Sequence, residues 1–324
     1  TKNVDDIEVH VYGPHVFHTN NDRVWKFVNR FADFNHFTYR PKVKHKGKVY
    51  SFPINLMTLY QLWGVQTPKE AEEKLAQVKV DIKDPQNMEE WVLSQVGHEI
   101  YETFIRDYTI KQWSREPKEL PSFIIKRLPI RLTYDDNYFY DKYQGVPIGG
   151  YTKMFETMLK NKNINVLLNT DFFEIKNKIK YPKYTIYTGL PDRYFNYRYG
   201  KLKWRSLKFK FNTYKKNFLQ SCVQYNYPNN YKFTRKVEIK HVTKQKSPYS
   251  VISKEYPNSF GEPYYPINDK ENIKVYEKYK NLISKLAKQN IFFEGRLATY
   301  RYLNTDEVIE QALKLFDKIK KKIK

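Results

Sequence analysis

The chain lacks several features that define large classes of proteins. It has one cysteine, Cys222, among 324 residues, which excludes a disulfide framework and a multi-cysteine metal site. No stretch approaches the roughly 18 consecutive apolar residues of a membrane-spanning helix, so no membrane span is predicted. Its 11 glycines and 16 prolines do not fit a collagen-like or low-complexity chain. The N-terminus has no basic segment followed by an apolar one, and we expect a cytoplasmic protein without a signal peptide.

Acidic residues are also scarce in comparison with basic ones. The chain carries 58 Lys and Arg against 35 Asp and Glu, which gives a net charge of +23. Such a charge favours an anionic partner. Outside the C-terminal tail the basic residues form no dense helical stripe, so an anionic small substrate is favoured and no nucleic-acid partner is expected. A module that binds nucleic acid or other anions stays an alternative, which steep salt dependence of DNA binding would support.

Aromatic residues, in contrast, are abundant at 17%, which is typical of a folded chain and not of a disordered one. Apolar spacing and capping residues predict helices at 22–33, 56–63, 67–79, 87–106 and 150–160, and a closing helix that Asn304 and Glu307 begin. Apolar and aromatic residues predict strand and turn at 128–143, with the turn at Asp135–Asn137, and strands at 165–175, 184–187, 206–211, 221–225, 237–242, 249–252 and 291–293. This mixture of helices and strands predicts an α/β or α+β fold.

Two histidines, His15 and His18, follow a Gly13-Pro14 turn. A metal site needs more ligands than this pair, and no further cysteine or histidine pattern is near, so no metal is predicted. The alternative for this segment is a structural loop whose histidines are satisfied by local hydrogen bonds.

Several other motifs have the chemistry of a ligand site, although each is weak alone. Tyr108 and Trp113 could stack a base or a sugar ring, or could be core aromatics. Arg127 beside a proline could bind phosphate with its planar fork, or could belong to a solvated basic turn. Arg205, Arg235 and Arg296 also lie in aromatic contexts. Arg296 follows an apolar strand and precedes a helix, which is the crevice position where cofactors bind in open α/β sheets.

Taken in chain order, these motifs make the sequence similar to the UDP-galactopyranose mutases, a family of flavoenzymes. The matching stretches span essentially the whole chain in the order of the family. They are Val11–Thr19, Tyr108–Trp113, Lys126–Pro129, Tyr134–Phe139, Gly149–Thr152, Tyr187–Leu190, Pro263–Ile267 and Gly295–Tyr302.

The resemblance implies a mixed α/β, α+β fold in three parts. They are a discontinuous Rossmann-like FAD-binding domain (1–33, 148–180 and 268–324), a helical domain (55–107), and a twisted antiparallel sheet that forms the substrate domain (34–54, 108–147 and 181–267). The match begins after the glycine-rich strand–turn–helix element that receives the FAD pyrophosphate in the family. Two explanations stay open: the sequence is incomplete, or the protein no longer holds FAD.

The activity that the resemblance implies is interconversion of UDP-galactopyranose and UDP-galactofuranose. The reaction would pass through an adduct between the sugar and N5 of reduced FAD, and would supply galactofuranose for cell-surface glycans. The family also implies a homo-oligomer, a dimer or higher. The alternative is a catalytically inactive homologue that binds nucleotide-sugars and has lost FAD.

The resemblance also implies roles for individual residues. Arg127 and Arg235 would hold the two phosphates of the substrate and act in catalysis, together with His18 against the flavin. Tyr108 would stack on the uracil, and Trp113 would line the sugar pocket. The other implied substrate contacts are Thr109, Tyr138, Arg205, Asn226, Tyr265 and Tyr302. The implied cofactor contacts are His15, Phe17, His18, Arg296, Tyr302 and Asn304.

Overall fold

Helices and short strands alternate along the chain in a computed structural model that describes residues 1–126, 128–179 and 182–323. The α-helices are α1 Asp22–Val28, α2 Leu56–Trp63, α3 Pro68–Val78, α4 Met88–Ile100, α5 Arg106–Trp113, α6 Phe123–Lys126, α7 Gly150–Leu159, α8 Phe172–Ile175, α9 Pro191–Tyr194, α10 Lys240–Thr243, α11 Lys270–Ala287, α12 Gly295–Ala298 and α13 Thr305–Ile323. The strands are β1 Lys2–Val4, β2 Ile7–Val9, β3 Phe17–Thr19, β4 Lys42–His45, β5 Lys48–Ser51, β6 Tyr143–Gly145, β7 Thr185–Tyr187, β8 Trp204–Tyr214, β9 Gln224–Asn226, β10 Arg235–Val237, β11 Ser250–Asn258, β12 Tyr265–Pro266 and β13 Ile291–Phe293.

Side-chain caps begin two of the helices that the sequence predicts, α2 and α3. Asn55 accepts a hydrogen bond from the backbone N–H of Thr58 (3.1 Å), while the Thr58 hydroxyl accepts one from the backbone N–H of Asn55 (3.0 Å). Thr67 caps α3 by accepting from the N–H of Glu70 (3.2 Å), whose carboxylate accepts from the N–H of Gln66 (2.7 Å). Each cap satisfies a donor that the first helical turn leaves without a partner, so the predicted start of α2 and of α3 is confirmed.

The chain divides into two compact units. The first unit comprises 1–18, 35–146 and 204–264, and the second comprises 19–34, 147–203 and 265–324. The predicted division into three parts stays a prediction.

An antiparallel sheet dominates the first unit. The strands that the first unit contributes lie in the order β8-β11-β10-β9-β4-β5, and among these neighbours β4 and β9 are the parallel pair. The longest pairing joins β8 to β11, from Ser206 opposite Asn258 to Tyr214 opposite Ser250. Buried apolar residues of β2 and of the sheet form the core, among them Val9, Val237 and Val251.

The helical segment of the first unit is continuous but irregular. Gly97 has a φ of 73° inside α4, and a Cβ there would clash with the backbone carbonyl of Val78. Only glycine fits this close approach. The residues that follow, Tyr101–Ile105, form a π-helical turn that leads directly into α5. The predicted helix at 87–106 is therefore present, but it is kinked and continues to Trp113.

The second unit contains a short parallel pair, β13 with β7, in which Phe292 lies opposite Ile186. Tyr187 and Phe293 pack beneath it with Ala298. The carboxyl end of β13 leads into α12 through Gly295, whose φ is 85°. These elements agree with the predicted strands at 184–187 and 291–293.

Some predicted elements are wrong. The segment 165–175 forms no strand and instead contains α8, and Leu168 is 79% exposed. An apolar run becomes a strand only where a partner pairs with it, and periodicity alone does not reveal the partner. The predicted strand at 237–242 ends at Val237 and is followed by α10. The segment 128–142 contains no strand within its described residues.

One long helix, α11, was not predicted. Asp269 caps it by accepting from the N–H of Asn272 (2.8 Å), but its apolar residues are separated by lysines. Within the described residues, none of the helices is long and apolar enough to cross a membrane, and no group of three or more His, Cys, Asp or Glu could hold a metal ion.

Candidate functional site

A row of polar residues crosses the face of the sheet that is packed on the core, which we call the inner face. Arg235 on β10 lies opposite Glu255 on β11 and opposite Asn226 on β9. Residues that are directly opposite on neighbouring strands share one face of the sheet. The sheet register therefore brings together three residues that are far apart in the sequence.

Arg235 is held between a phenol and a carboxylate. Its Nε donates to the hydroxyl of Tyr108 (2.8 Å), and its Nη1 lies 3.4 Å from Oε2 of Glu255. Glu255 is only 1% exposed. Burial raises the pKa of its carboxyl, while the charge of Arg235 lowers it. The guanidinium is therefore the main charge that compensates this buried carboxyl group, and its position is fixed.

The loop that contains Gly13 closes over the same carboxylate. Gly13 has a φ of 97°, and a Cβ there would lie 3.2 Å from Oε1 of Glu255. Both the left-handed backbone and the close approach favour glycine at this position. The glycine–proline turn that the sequence singles out thus lies beside the Arg235–Glu255 pair.

Helix α5 supplies Tyr108 to this cluster. Burial raises the pKa of the Tyr108 hydroxyl, and Arg235 opposes that effect. The two other predicted contacts on this helix, Thr109 and Trp113, are buried. The structure therefore brings Tyr108 to Arg235 and leaves Thr109 and Trp113 largely inside the protein.

A chain of hydrogen bonds approaches the cluster from the other side. The Tyr39 hydroxyl donates to Oε1 of Gln224 (2.6 Å), and Nε2 of Gln224 donates to Oδ1 of Asn226 (2.6 Å). Because the amide oxygen of Asn226 accepts this bond, its amide nitrogen is left to donate elsewhere. Tyr138 joins the chain through its backbone N–H, which donates to the Tyr39 carbonyl (2.8 Å), and its ring packs edge-on against Tyr39 at 5.5 Å.

Arg205 and Lys111 attach α5 to the sheet. Arg205 donates to the carbonyls of Gln112 (2.8 Å) and Lys111 (3.1 Å) and to the hydroxyl of Ser259. Lys111 donates to three carbonyls in the connection between β9 and β10, the nearest being that of Tyr227 (2.5 Å). Burial lowers the pKa of Lys111 to about 8, and Asp107 opposes that shift. These contacts fix the helix that carries Tyr108; a contact of Arg205 with substrate stays a prediction.

The three residues predicted around the flavin ring have different surroundings. His18 has Nδ1 at 2.8 Å from Oδ2 of Asp141, and its ring stacks on Phe139 with 3.6 Å between centroids. The carboxylate favours the hydrogen on Nδ1, which leaves Nε2 as the other polar atom of the ring. His15 contacts the carbonyl of Tyr12 (3.1 Å), and Phe17 is buried in the core. His18 is thus the residue of this set whose ring is oriented by a carboxylate.

A second cluster lies at the carboxyl end of β13 in the second unit. The rings of Tyr265 and Tyr302 stack with 5.6 Å between centroids, and the Arg296 guanidinium lies 4.8 Å from the Tyr302 ring. Arg296 also donates through Nε to the carbonyl of Leu303 (3.0 Å). Asn304 begins α13, and its N–H donates to the Glu307 carboxylate (2.6 Å). The predicted residues Tyr265, Tyr302, Arg296 and Asn304 are therefore neighbours.

One predicted catalytic residue, Arg127, lies outside the described residues. Three residues of the cluster were not predicted: Tyr39, Gln224 and Glu255. Gln224 lies two residues before Asn226 on one strand, so the period of two along β9 could have identified it. No local pattern marks Tyr39 or Glu255, whose positions depend on the sheet register.

Comparison with known proteins identifies the family. The family model of UDP-galactopyranose mutase matches residues 103–302. A probable UDP-galactopyranose mutase of Klebsiella pneumoniae is 42% identical over 319 residues, covering 96% of this chain and 82% of the relative. A dTDP-fucopyranose mutase of Escherichia coli is 39% identical over 95% of this chain and 84% of the relative. A UDP-galactopyranose mutase of Mycoplasma genitalium is 32% identical over 94% and 81%.

Solved structures share the fold. Reduced UDP-galactopyranose mutase superposes with a TM-score of 0.72 at 14% identity, over 95% of this chain and 82% of that one. A putative protoporphyrinogen oxidase from Exiguobacterium sp. 255-15 gives a TM-score of 0.51 at 10% identity, over 95% and 87%. The mixed α/β fold that the sequence predicts is confirmed by the first of these likenesses.

Proposed function

Because the chain belongs to the UDP-galactopyranose mutase family, we propose that it is an isomerase that interconverts UDP-galactopyranose and UDP-galactofuranose. The observation that supports this most directly is the cluster of Arg235, Tyr108 and Glu255. It holds a cation in a fixed position at a partly buried site, where a fixed charge acts more strongly than in water.

Arg235 would bind the pyrophosphate of the substrate, together with Arg127. Negative charge on the pyrophosphate grows as the bond from the sugar to UDP breaks, and a guanidinium that is already oriented stabilises this charge without reorganisation. Glu255 and the Tyr108 hydroxyl supply that orientation. Arg235 therefore acts as a charge clamp whose geometry is set before the substrate arrives.

The neighbouring residues would bind the rest of the nucleotide-sugar. The ring of Tyr108 offers a surface for the uracil, and Asn226 has an amide nitrogen that can donate to a sugar hydroxyl or a phosphate. Tyr138 would donate from its phenol to phosphate. The family resemblance implies two further phenolic donors, Tyr265 and Tyr302.

Family membership implies a flavin cofactor, and we propose reduced FAD. Two features of the described residues fit such a group. The ring of His18 is oriented by Asp141, so its Nε2 can serve a polar atom of the flavin. Gly295, at the carboxyl end of a parallel strand, has a φ of 85° and open space at its Cβ position, which allows a ligand to approach the backbone. Reduced flavin supplies the nucleophile of the reaction when it is bound.

Arg296 and Asn304 are the other residues that we propose for the flavin. The guanidinium of Arg296 is oriented by the Leu303 carbonyl and by the Tyr302 ring, which keeps a positive charge at the end of β13. Asn304 lies at the N-terminus of α13, where backbone N–H groups favour an oxygen-rich ligand. His15 and Phe17 would support the loop that carries His18.

The test is turnover of UDP-galactopyranose by the purified chain with FAD and dithionite, followed by separation of the two isomers. We expect conversion by the parent and by Arg30→Ala, a control at an exposed arginine, and loss of conversion in Arg235→Ala. Binding of UDP without any turnover would instead support the inactive homologue, and equal activity of both variants would contradict the role of Arg235.

A second candidate substrate is dTDP-fucopyranose, because one relative at 39% identity is named for it. The two sugars differ at C6, where galactose has a hydroxyl and fucose does not. A site that hydrogen-bonds this hydroxyl rejects the deoxy sugar strongly, whereas an apolar site discriminates weakly. The same assay with both nucleotide-sugars decides between them by the ratio of kcat/KM.

We further propose that the protein acts in the cytoplasm as a homo-oligomer and supplies galactofuranose to cell-surface glycans. The homo-oligomer and the use of the product rest on the family resemblance, and the cytoplasmic location rests on the sequence. Light scattering after gel filtration tests the oligomeric state.

A further inference from the structure

The outer face of the same sheet carries a row of lysines. Directly opposed residues on five neighbouring strands form this row, which we call the lysine ladder: Lys210 on β8, Lys254 on β11, Lys236 on β10, Tyr225 on β9 and Lys42 on β4. At the usual spacing between strands the row is about 19 Å wide. Four of its five positions are lysines.

The lysine ladder destabilises the fold. Like charges that lie directly opposite each other on a sheet are destabilising. Within the described residues, no carboxylate lies within 4.0 Å of the ammonium group of Lys210, Lys236, Lys254 or Lys42. Burial lowers the pKa of Lys236, and the charges of Lys254 and Lys44 lower it further. The protein therefore keeps positive charges close together without an internal counter-ion.

Aromatic rings hold the lysines in place. The ammonium of Lys236 lies 5.2 Å from the ring of Tyr227 and 5.4 Å from that of Phe233, and Lys254 lies 5.7 Å from Phe233. Cation–π contacts of this kind orient an ammonium and occupy one face of the ring. The rings therefore support the charges and do not form a free surface for stacking bases.

One end of the β8–β11 strand pair, where Tyr214 lies opposite Ser250, combines exposed apolar side chains with further lysines. The Lys240 ammonium donates to the carbonyls of Asn217 (3.0 Å) and Tyr249 (2.9 Å), which joins the two loops at this end. The exposed apolar residues of these loops are Tyr214, Phe218, Leu219 and Tyr249. The exposed lysines are Lys215, Lys216, Lys244 and Lys246.

We propose that the lysine ladder and this end of the β8–β11 pair form a docking surface for an anionic lipid bilayer. A basic face next to exposed aromatic and aliphatic side chains is the combination that binds the surface of a membrane: lysines attract the anionic headgroups, and apolar side chains enter the interface. Binding would be peripheral.

A single-stranded nucleic acid is the main competing occupant. Proteins that bind it combine a basic groove with aromatic rings on which bases stack. Here the rings beside the lysines are already in contact with ammonium groups, so they are less available to bases. Lipid headgroups need no stacking surface, which favours a bilayer over a strand of bases.

The experiment measures binding of the full chain to vesicles of phosphatidylcholine, alone or with one third phosphatidylglycerol, by co-sedimentation. The ladder variant is Lys210→Gln/Lys236→Gln/Lys254→Gln. The matched control, Lys69→Gln/Lys83→Gln/Lys118→Gln, removes the same charge from exposed positions of the same unit. Thermal melting checks that both variants are folded.

We expect the parent and the control to bind only the anionic vesicles, with binding that weakens as salt rises. The ladder variant should bind about 100-fold more weakly, since each lysine near an anionic surface contributes about a factor of five. Some binding should remain at high salt, because the apolar side chains enter the interface. A separate variant, Phe218→Ser/Leu219→Ser, should weaken this remaining binding.

Three outcomes would overturn the proposal. One is equal binding to both vesicle types, and another is an equal loss in the ladder variant and in its control. The third is a single-stranded oligonucleotide that displaces the vesicles at equal phosphate concentration and itself depends on the ladder, which would make nucleic acid the occupant. None of these readouts depends on mutase activity.

Discussion

The two faces of the antiparallel sheet use charge in opposite ways, although their rows are one residue apart on every strand. On the inner face, Arg235 lies between Glu255 and the Tyr108 hydroxyl. On the outer face, Lys236 lies opposite Lys254 with no carboxylate within ion-pair distance among the described residues. A charge that must hold one geometry has fixed partners, whereas charges that meet an external surface stay accessible.

This arrangement also depends on register. Because side chains alternate between the faces, a slip of one residue would exchange the two rows. Arg235 would then face outward, and Lys236 would face the core. The long β8–β11 pairing and the alternation of apolar residues oppose such a slip.

Removing the inner charge should have the largest effect. Arg235→Ala should lower kcat/KM by about 10²–10³, the usual loss when one preorganised donor to a developing negative charge is removed. Arg235→Lys should recover only part of this loss, because it lacks the planar fork. Steady-state kinetics with UDP-galactopyranose measures both.

A second variant separates catalysis from stability at this position. Arg235→Ala leaves the buried Glu255 carboxylate without its counter-charge and should lower the free energy of unfolding by about 1–3 kcal/mol. The double variant Arg235→Ala/Glu255→Gln should regain stability and stay inactive. Recovery of activity in the double variant would show that Arg235 serves only the fold.

Removal of the Tyr108 hydroxyl should have the next largest effect. Tyr108→Phe keeps the ring but removes the acceptor of Arg235 Nε, so we expect kcat/KM to fall about tenfold, the value of a hydrogen bond to a charged group. Tyr108→Ala should lose more, because the stacking surface is removed as well. Tyr60→Phe, at an exposed tyrosine, is the control. An unchanged Tyr108→Phe would mean that only the ring matters.

The chain from Tyr39 to Asn226 should have a smaller effect. Tyr39→Phe and Gln224→Leu each break the chain that orients the Asn226 amide, so each should raise KM about threefold to tenfold with little change in kcat. Since both act through the same amide, their effects should not add in a double-mutant cycle. Additive effects would show that the two residues act independently.

Relieving the repulsion between the lysines of the outer face should have the smallest effect, and it should stabilise the protein instead of impairing it. Lys254→Gln should raise the free energy of unfolding by about 0.2–1 kcal/mol, the range for cross-strand pairs, with Lys83→Gln as the control in urea unfolding. The folded state lowers the pKa of Lys236 below the ordinary 10.5, so the parent itself gains stability as pH rises towards that value. The advantage of the variant should therefore shrink at high pH. A destabilised variant at pH 7 would contradict the repulsion.

The sequence predicts the features that depend on local chemistry. Caps at Asn55 and Thr67 determine where two helices begin, and alternation along 206–211 identifies a strand that the structure extends to Trp204–Tyr214. Resemblance to a family supplied Arg235 and Tyr108, which the structure brings into contact. These features need no knowledge of the partner strand.

What the sequence did not predict depends on pairing over long distances. The ladder exists because Lys254 lies opposite Lys210, and no local pattern determines this register. Tyr39 joins the site for the same reason, through Gln224 on another strand. The apolar run at 165–175 shows the converse, because an apolar run without a pairing partner did not form a strand.

The π-helical turn at Tyr101–Ile105 has a consequence for insertions and deletions. Such a turn accommodates one extra residue in a helix, so removing one residue there would leave a regular α-helix. The side chains after the turn would keep nearly the same direction, because the i→i+5 bond of a π-turn spans one residue more than the i→i+4 bond of an α-helix. Loss of Arg106 or Asp107, which follow the turn in the regular part of α5, would instead rotate Tyr108 by about 100° about the helix axis. Its hydroxyl would then point away from Arg235, so a deletion of three nucleotides at either of these codons would break the contact while both of its residues remained in the chain.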